Sequence, residues 1–158
     1  MKWFRQIWYQ VFDRELVRPV VHPDRDSMES AEWNAWVGAT GERLSAKFLS
    51  RGGCKVLYRN FRPKGGGEVD IVYRDREILV FGEVKTRTSD TFGRPAEAVN
   101  KAKQRLVIRG GNAWLRELNH PEIIFRFDVI EVLLVEGKTP EINVIESAFS
   151  TEQIGVGM

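Results

Sequence analysis

Residues 68–87 constrain the fold of this chain most. Two β-forming runs, EVDIVYR at 68–74 and the stretch 77–87 around ILVF, are separated by the polar pair Asp75-Arg76. A short polar break between such runs predicts an antiparallel hairpin. Side chains alternate faces along a strand. Glu68, Asp70 and Val72 are therefore expected on one face of the first strand, and Val69, Ile71 and Tyr73 on the other. In the second strand Leu79, Phe81, Glu83 and Lys85 share a face. A turn at 75–76 sets Asp70 near Glu83 across the hairpin. A bulge or a slip of one residue would undo that facing.

The hairpin sits within an α/β pattern. A helix is expected from 31 to 51, stopped by Gly52-Gly53. Residues 54–62 read as a strand and 63–67 as a glycine-rich connection. After a polar loop at 88–94, Pro95 suits the start of a second long helix, to about Leu118, with Val99, Ala102, Leu106, Ala113 and Trp114 as its apolar face. Residues 123–135 are strongly β-forming, and 141–149 can add an edge strand. At 158 residues, one domain is expected: 31–150, preceded by a helix and linker at 1–30 and followed by a tail at 151–158.

The N-terminal segment carries two apolar rows at helical spacing, Trp3, Ile7, Val11 and Phe4, Trp8, Phe12. Such a helix can dock on the domain or on a second copy of it. It can also lie on a membrane surface, with Lys2, Arg5 and Arg14 at the headgroups. Asp13 and Glu15 weigh against membrane contact. No run approaches the roughly 20 apolar residues of a membrane span. A single Cys and two distant His exclude a disulfide framework, a CxxC or His-rich zinc site and a Ser-His-Asp scheme. The lone thiol suits the cytoplasm. Any catalysis must come from carboxylates and lysines.

The formal charge of +2 hides strong segregation. Residues 42–64 and 85–116 each carry +6, residues 65–84 carry −3, and the chain from 117 onward carries −6. An acidic centre between basic segments suits an enzyme that holds a cation within a phosphate-binding surface, although basic runs are also common as solvated helix faces. Converging carboxylates repel each other, and Mg²⁺ or Mn²⁺ between them relieves that repulsion. An ammonium beside them, Lys85, can orient water or steady charge developing on phosphorus. Taken alone, Glu-x-Lys on a strand is usually a surface pair, and Asp70 can equally cap a turn or pair with Arg62. On the first helix Glu42 falls in the same arc as Ala46 and Leu49. An inward carboxylate needs a metal or a basic partner, and either fits Glu42.

Together these residues resemble the restriction-endonuclease-like, or PD-(D/E)xK, nuclease superfamily. The closer resemblance is to the bacterial YraN family, which looks like archaeal Holliday-junction resolvases. It covers about residues 38–130 and rests on GERLSAKFL (41–49), NFR (60–62), GEVDIV (67–72), VFGEVKTR (80–87), FGRPAEAV (92–99), KAKQRL (101–106) and RFDVI (126–130). The resemblance implies an αβββαβ core with a mixed central sheet flanked by helices. It implies an endonuclease that hydrolyses DNA phosphodiester bonds, branched DNA included, using Mg²⁺ or Mn²⁺. Asp70, Glu83 and the Val84 carbonyl would be metal ligands, with Glu42 as the acid many relatives carry on the first helix. Lys85 would be the catalytic lysine, and Gln104 and Lys101 would lie near substrate. Arg62, Lys64 and Arg87 would contact nucleic acid, although an arginine here can simply pair with a carboxylate. Glu68 matches the family's GE-x-D pattern or is an exposed strand acid. The alternative is a nucleic-acid-binding protein that keeps the fold without cutting. A homodimer follows by analogy with the resolvases. Gly82 departs from the family, which typically has a larger residue there, and the glycine run at 65–67 is longer than expected.

Overall fold

The computed structural model of the chain describes residues 14–90 and 99–152. The apolar rows at 3–12, Pro95 and most of the FGRPAEAV stretch lie outside the described residues. A short helix α1 (Arg14–Val17) and a 3-10 turn (Arg25–Ser27) precede α2 (Ser30–Arg51). Three strands follow, β1 (Lys55–Phe61), β2 (Val69–Asp75) and β3 (Ile78–Arg87), then α3 (Lys101–Glu117), β4 (Phe125–Leu133) and β5 (Glu141–Phe149). The sheet runs β1-β2-β3-β4-β5. Only the β3–β4 pair is parallel, so the sheet is mixed. Parallel neighbours require a crossover, and α3 lies within it.

The helices cover opposite faces. Leu44, Phe48 and Leu49 of α2 pack on Ile71, Tyr73, Val80, Val84 and Ile130. Val107, Ile108 and Ala113 of α3 pack on Val72, Phe81, Phe127 and Val129. This is the expected α/β architecture, with 141–149 as its edge strand. Among the described residues no helix is long and apolar enough to cross a membrane.

Four local expectations change. The turn is at Arg76-Glu77, because Asp75 still pairs with Ile78 and Arg76 takes the left-handed φ of 55°. The second helix starts at Lys101, not near Pro95, because Asn100 is extended and its side chain accepts the Lys103 N–H at 2.9 Å as an N-cap. Its buried face is Val107, Ile108, Gly110, Gly111, Ala113 and Leu115; of the expected apolar face Val99 and Ala113 are buried, whereas Ala102 and Leu106 are exposed. Val69 joins the α3 side rather than sitting with Ile71: regular β2–β3 pairing ends at Ile71↔Gly82, while Val69 still pairs with Phe61 of β1.

The stretch read as a linker is docked. Val20 is buried and bridges to Glu136, and its N–H donates to the Lys138 carbonyl at 2.8 Å. The His22 ring sits edge-on to Trp33 and Trp36.

The long glycine run has a packing reason. Gly67 has φ 96°, and a Cβ there would lie 2.8 Å from the Arg109 carbonyl carbon and 2.9 Å from Gly110 Cα. Gly110 in turn has no room for a Cβ beside Val69 and Glu68. Backbone crosses backbone here, and the Glu68 N–H donates to the Leu106 carbonyl at 3.0 Å. That crossing aims Glu68 at the first turn of α3.

Candidate active site

The β2–β3 register, continued one residue past Ile71↔Gly82, sets Asp70 across from Glu83. The one-residue move of the turn makes this pairing direct. The ladder itself stops here, and an Asp70 side-chain oxygen takes the Val84 N–H instead, at 2.8 Å. Asp70 is 9% exposed and Glu83 1%. Both acids are thus held at the end of the apolar stretch of the hairpin.

Glu83 is an unusual group to bury. Burial pushes its pKa up to about 8, and the neighbouring Asp70 carboxylate adds to the rise. Two ammonium groups oppose it: Lys85 Nζ and Lys103 Nζ each lie 3.4 Å from Glu83 Oε1. Glu83 Oε2 is buried without a hydrogen-bond partner. A buried carboxylate oxygen left unpaired is costly and marks a place for a proton or a cation.

Lys103 comes from the first turn of α3 and forms a close ion pair with Glu68. Burial alone would lower its pKa, but Glu68, Glu83 and Asp70 outweigh burial and hold it above the usual lysine value. The same hydrogen bond holds the Glu68 carboxyl below its ordinary range. Arg62 Nε approaches Glu68 Oε2 from the other side at 3.7 Å. A chain of alternating charge therefore runs from Arg62 through Glu68 and Lys103 to Glu83 and Lys85.

The structure brings Asp70, Glu83 and Lys85 together, as the sequence predicts, and links Arg62 to them through Glu68. It adds Lys103, which the sequence reading missed. The signal was present: Lys103 lies four residues before Val107 and eight before Gly111, on the buried stripe. Gln104 donates to the Val99 carbonyl at 2.9 Å, back toward the segment that precedes its helix. Lys101 is exposed on the same turn, and Arg87 is half-buried at the end of β3. Lys64 is exposed on the β1–β2 connection.

Glu42 is half-buried on α2, the helix that covers the opposite face of the sheet. None of the ion pairs or hydrogen bonds among the described residues joins it to Asp70 or Glu83. Among the described residues no three His, Cys, Asp or Glu side chains cluster tightly enough to hold a metal ion. The donor set is therefore two carboxylates. Hard oxygen donors and one unpaired buried oxygen fit Mg²⁺ or Mn²⁺, ions that keep several water ligands and accept substrate phosphate.

Comparison with known proteins places these residues in a family. The profile of "Uncharacterised protein family UPF0102" matches residues 41–132, which include Asp70, Glu83, Lys85 and Lys103. A "UPF0102 protein" of Trichlorobacter lovleyi is 45% identical over 117 residues, covering 73% of this chain and 91% of that protein. One from Geobacter metallireducens is 43% identical over 116 residues, covering 73% and 93%. One from Chlorobaculum parvum is 46% identical over 98 residues, covering 62% and 75%.

Proposed function

The chain belongs to uncharacterised protein family UPF0102, a PD-(D/E)xK-like family, and from that premise we propose that it is a Mg²⁺- or Mn²⁺-dependent endonuclease hydrolysing DNA phosphodiester bonds, branched DNA among them. The observation that carries this reading is Glu83, buried beside Asp70 with one carboxylate oxygen unpaired and two ammonium groups alongside.

Asp70 and Glu83 would hold the ion, with the Val84 backbone between Glu83 and Lys85. When bound, the ion supplies polarisation of the scissile phosphate and a more acidic water. Lys85 orients the attacking water and steadies negative charge on the phosphoryl oxygens as it develops. Lys103 holds Glu83 and Glu68 in place and adds positive charge beside the reacting phosphate. Arg62, Lys64, Arg87 and Lys101 supply phosphate contacts around the rim.

The test is cleavage of single-stranded, duplex and branched DNA with Mg²⁺ or Mn²⁺ by wild type, Asp70→Ala and Lys85→Ala. Cutting by wild type alone supports the reading. Equal activity in all three discards it.

One observation favours a second reading, a nucleic-acid-binding protein that does not cut. Lys103 already places an ammonium between Glu68 and Glu83. That cation balances the acids without a metal. Salt-dependent DNA binding with no Mg²⁺ or Mn²⁺ uptake by calorimetry would select this alternative.

A further inference from the structure

An open cavity of about 660 Å³ lies between the end of β1, the 62–65 connection and the second half of α3. Its wall includes Tyr58, Phe61, Arg62, Lys64, Arg116 and Glu117. Tyr58 is 51% exposed. Its ring is held edge-on against Phe61 and Trp114, with centroids 5.8 and 5.7 Å away, and those two rings pack edge-to-face at 5.0 Å. A large aromatic is thus kept at the surface on a fixed aromatic base rather than buried in the core.

The charge around it has one dominant sign. Arg62, Lys64 and Arg116 face the cavity against the single acid Glu117. No ion pair among the described residues engages Lys64 or Arg116. Arg62 is shared with the active site, since its Nε lies 3.7 Å from Glu68. The cavity and the carboxylate pair are therefore two ends of one surface. Arg116 and Lys103 are thirteen positions apart on α3, or about 20 Å at the helical rise, so a strand several nucleotides long is needed to join them.

We propose that this cavity is a subsite for an unpaired nucleotide of the nucleic acid, its base stacked on Tyr58 and its phosphates held by Arg62, Lys64 and Arg116. Stacking on an aromatic face needs an exposed base, which a continuous duplex does not offer. Cations beside an aromatic platform track the backbone without reading sequence. The proposal rests on the nuclease reading for the direction of the strand, toward Asp70 and Glu83, and names its substrate class: DNA with a single-stranded segment next to the scissile phosphate. Glu117 at the wall disfavours phosphate there and leaves the basic side of the cavity as the backbone path.

The test measures binding without metal. The full chain is titrated, in EDTA, into a fluorescent single-stranded oligonucleotide and into a blunt duplex of equal length. Wild type is expected to prefer the single strand. Tyr58→Ala should weaken single-strand binding roughly 10-fold while leaving duplex binding unchanged, and Tyr58→Phe should restore it. A strand carrying 5-iodouracil should crosslink to Tyr58 on irradiation, which checks the contact in the unmutated chain. Equal affinity for both DNAs together with no effect of Tyr58→Ala overturns the subsite and leaves a plain phosphate-binding surface. Crosslinks that map away from Tyr58 overturn it as well. Binding and cleavage are read separately. Tyr58-dependent binding without cutting keeps the subsite and discards the nuclease. Cutting with Tyr58-independent binding does the reverse.

Discussion

The Asp70 carboxylate accepts the backbone N–H of Val84, the residue between Glu83 and Lys85. An acid on β2 is thereby fixed to the β3 backbone at the point where the two strands stop pairing. Its carboxylate is held by the backbone beside Glu83.

Asp70→Asn should therefore fold. The amide oxygen still accepts from Val84, and a like charge beside Glu83 is removed. Asp70→Ala leaves the Val84 N–H unpaired and should cost about 1–3 kcal/mol. Both variants are expected to lose metal-dependent cleavage. Urea denaturation and a nicking assay separate the two effects. An Asp70→Asn protein that cuts like wild type would remove Asp70 from the catalytic centre.

Glu83 makes stability depend on pH. Below about pH 4.5 it is protonated in both the folded and the unfolded chain. Above that the unfolded chain releases its proton, while the folded chain keeps it until about pH 8. A folded-state pKa raised above the unfolded value gives stability that is complete at low pH and is lost as pH rises through that window, by up to about 1.4 kcal/mol per pH unit. Denaturation in EDTA from pH 5 to 9 should show this loss, and Glu83→Gln should flatten it. An unchanged profile in the variant would place the titrating group elsewhere.

The hairpin, the two helices and the acid–acid–lysine set were legible because each rests on local periodicity. Alternation in EVDIVYR and the apolar run before Glu83 are short-range signals, and α2 ends where its glycines say it should. Lys103 was not legible in the same way. It lies in KAKQR, a turn with no large apolar residue to show which side faces inward, and only Val107 and Gly111 further along give the phase. Val69 broke the expected alternation where β2 has left its ladder with β3, a tertiary event with no sequence mark. Gly110 and Gly111 drew no expectation from the sequence, yet they let α3 approach the Gly67 backbone and Phe81. Gln104 entered through family resemblance alone, and Glu42 through its place in the apolar arc of the first helix as well. The structure turns Gln104 onto Val99, just before its helix, and leaves Glu42 on the helix across the sheet.

Gly82 has a packing role that family comparison alone made look like a defect. Register with β4 runs unbroken through it, and it forms the last regular rung with β2 opposite Ile71, so it is no bulge. A Cβ there would lie 3.1 Å from Ile130 Cδ1 and 3.3 Å from both the Ile71 carbonyl oxygen and Tyr73 Cε1. The space is taken by Tyr73, whose hydroxyl donates to buried Asp128 at 2.6 Å. Asp128 also accepts from Arg126 and from the Ser147 N–H, which ties β2, β4 and β5 together. Burial and the Asp128 charge hold the Tyr73 hydroxyl well above its ordinary pKa, so it stays a donor. Gly82→Ala should destabilise the domain by about 1–3 kcal/mol through overpacking. Gly82→Ala combined with Tyr73→Phe should lose less than the sum of the two single changes, because both act on one ring. Thermal melts of the four proteins check this, and strict additivity would refute the shared cause.

Lys103 and a divalent cation answer the same need, since both bring positive charge to Glu83. Lys103 Nζ lies 3.4 Å from Glu83 Oε1 and is paired with Glu68. Lys103→Met keeps the aliphatic stem and removes the charge. Without metal the variant should be less stable than wild type, because Glu68 keeps only the more distant Arg62 and Glu83 loses one of its two ammonium neighbours. The proton on Glu83 should then be held to still higher pH. Adding Mg²⁺ should reverse the order of benefit. The ion meets less competing positive charge in the variant, so its melting temperature should rise more than that of wild type at equal Mg²⁺. Scanning fluorimetry over a Mg²⁺ series gives both numbers. Equal gains in the two proteins would show that the cation, if bound, does not share Glu83 with Lys103.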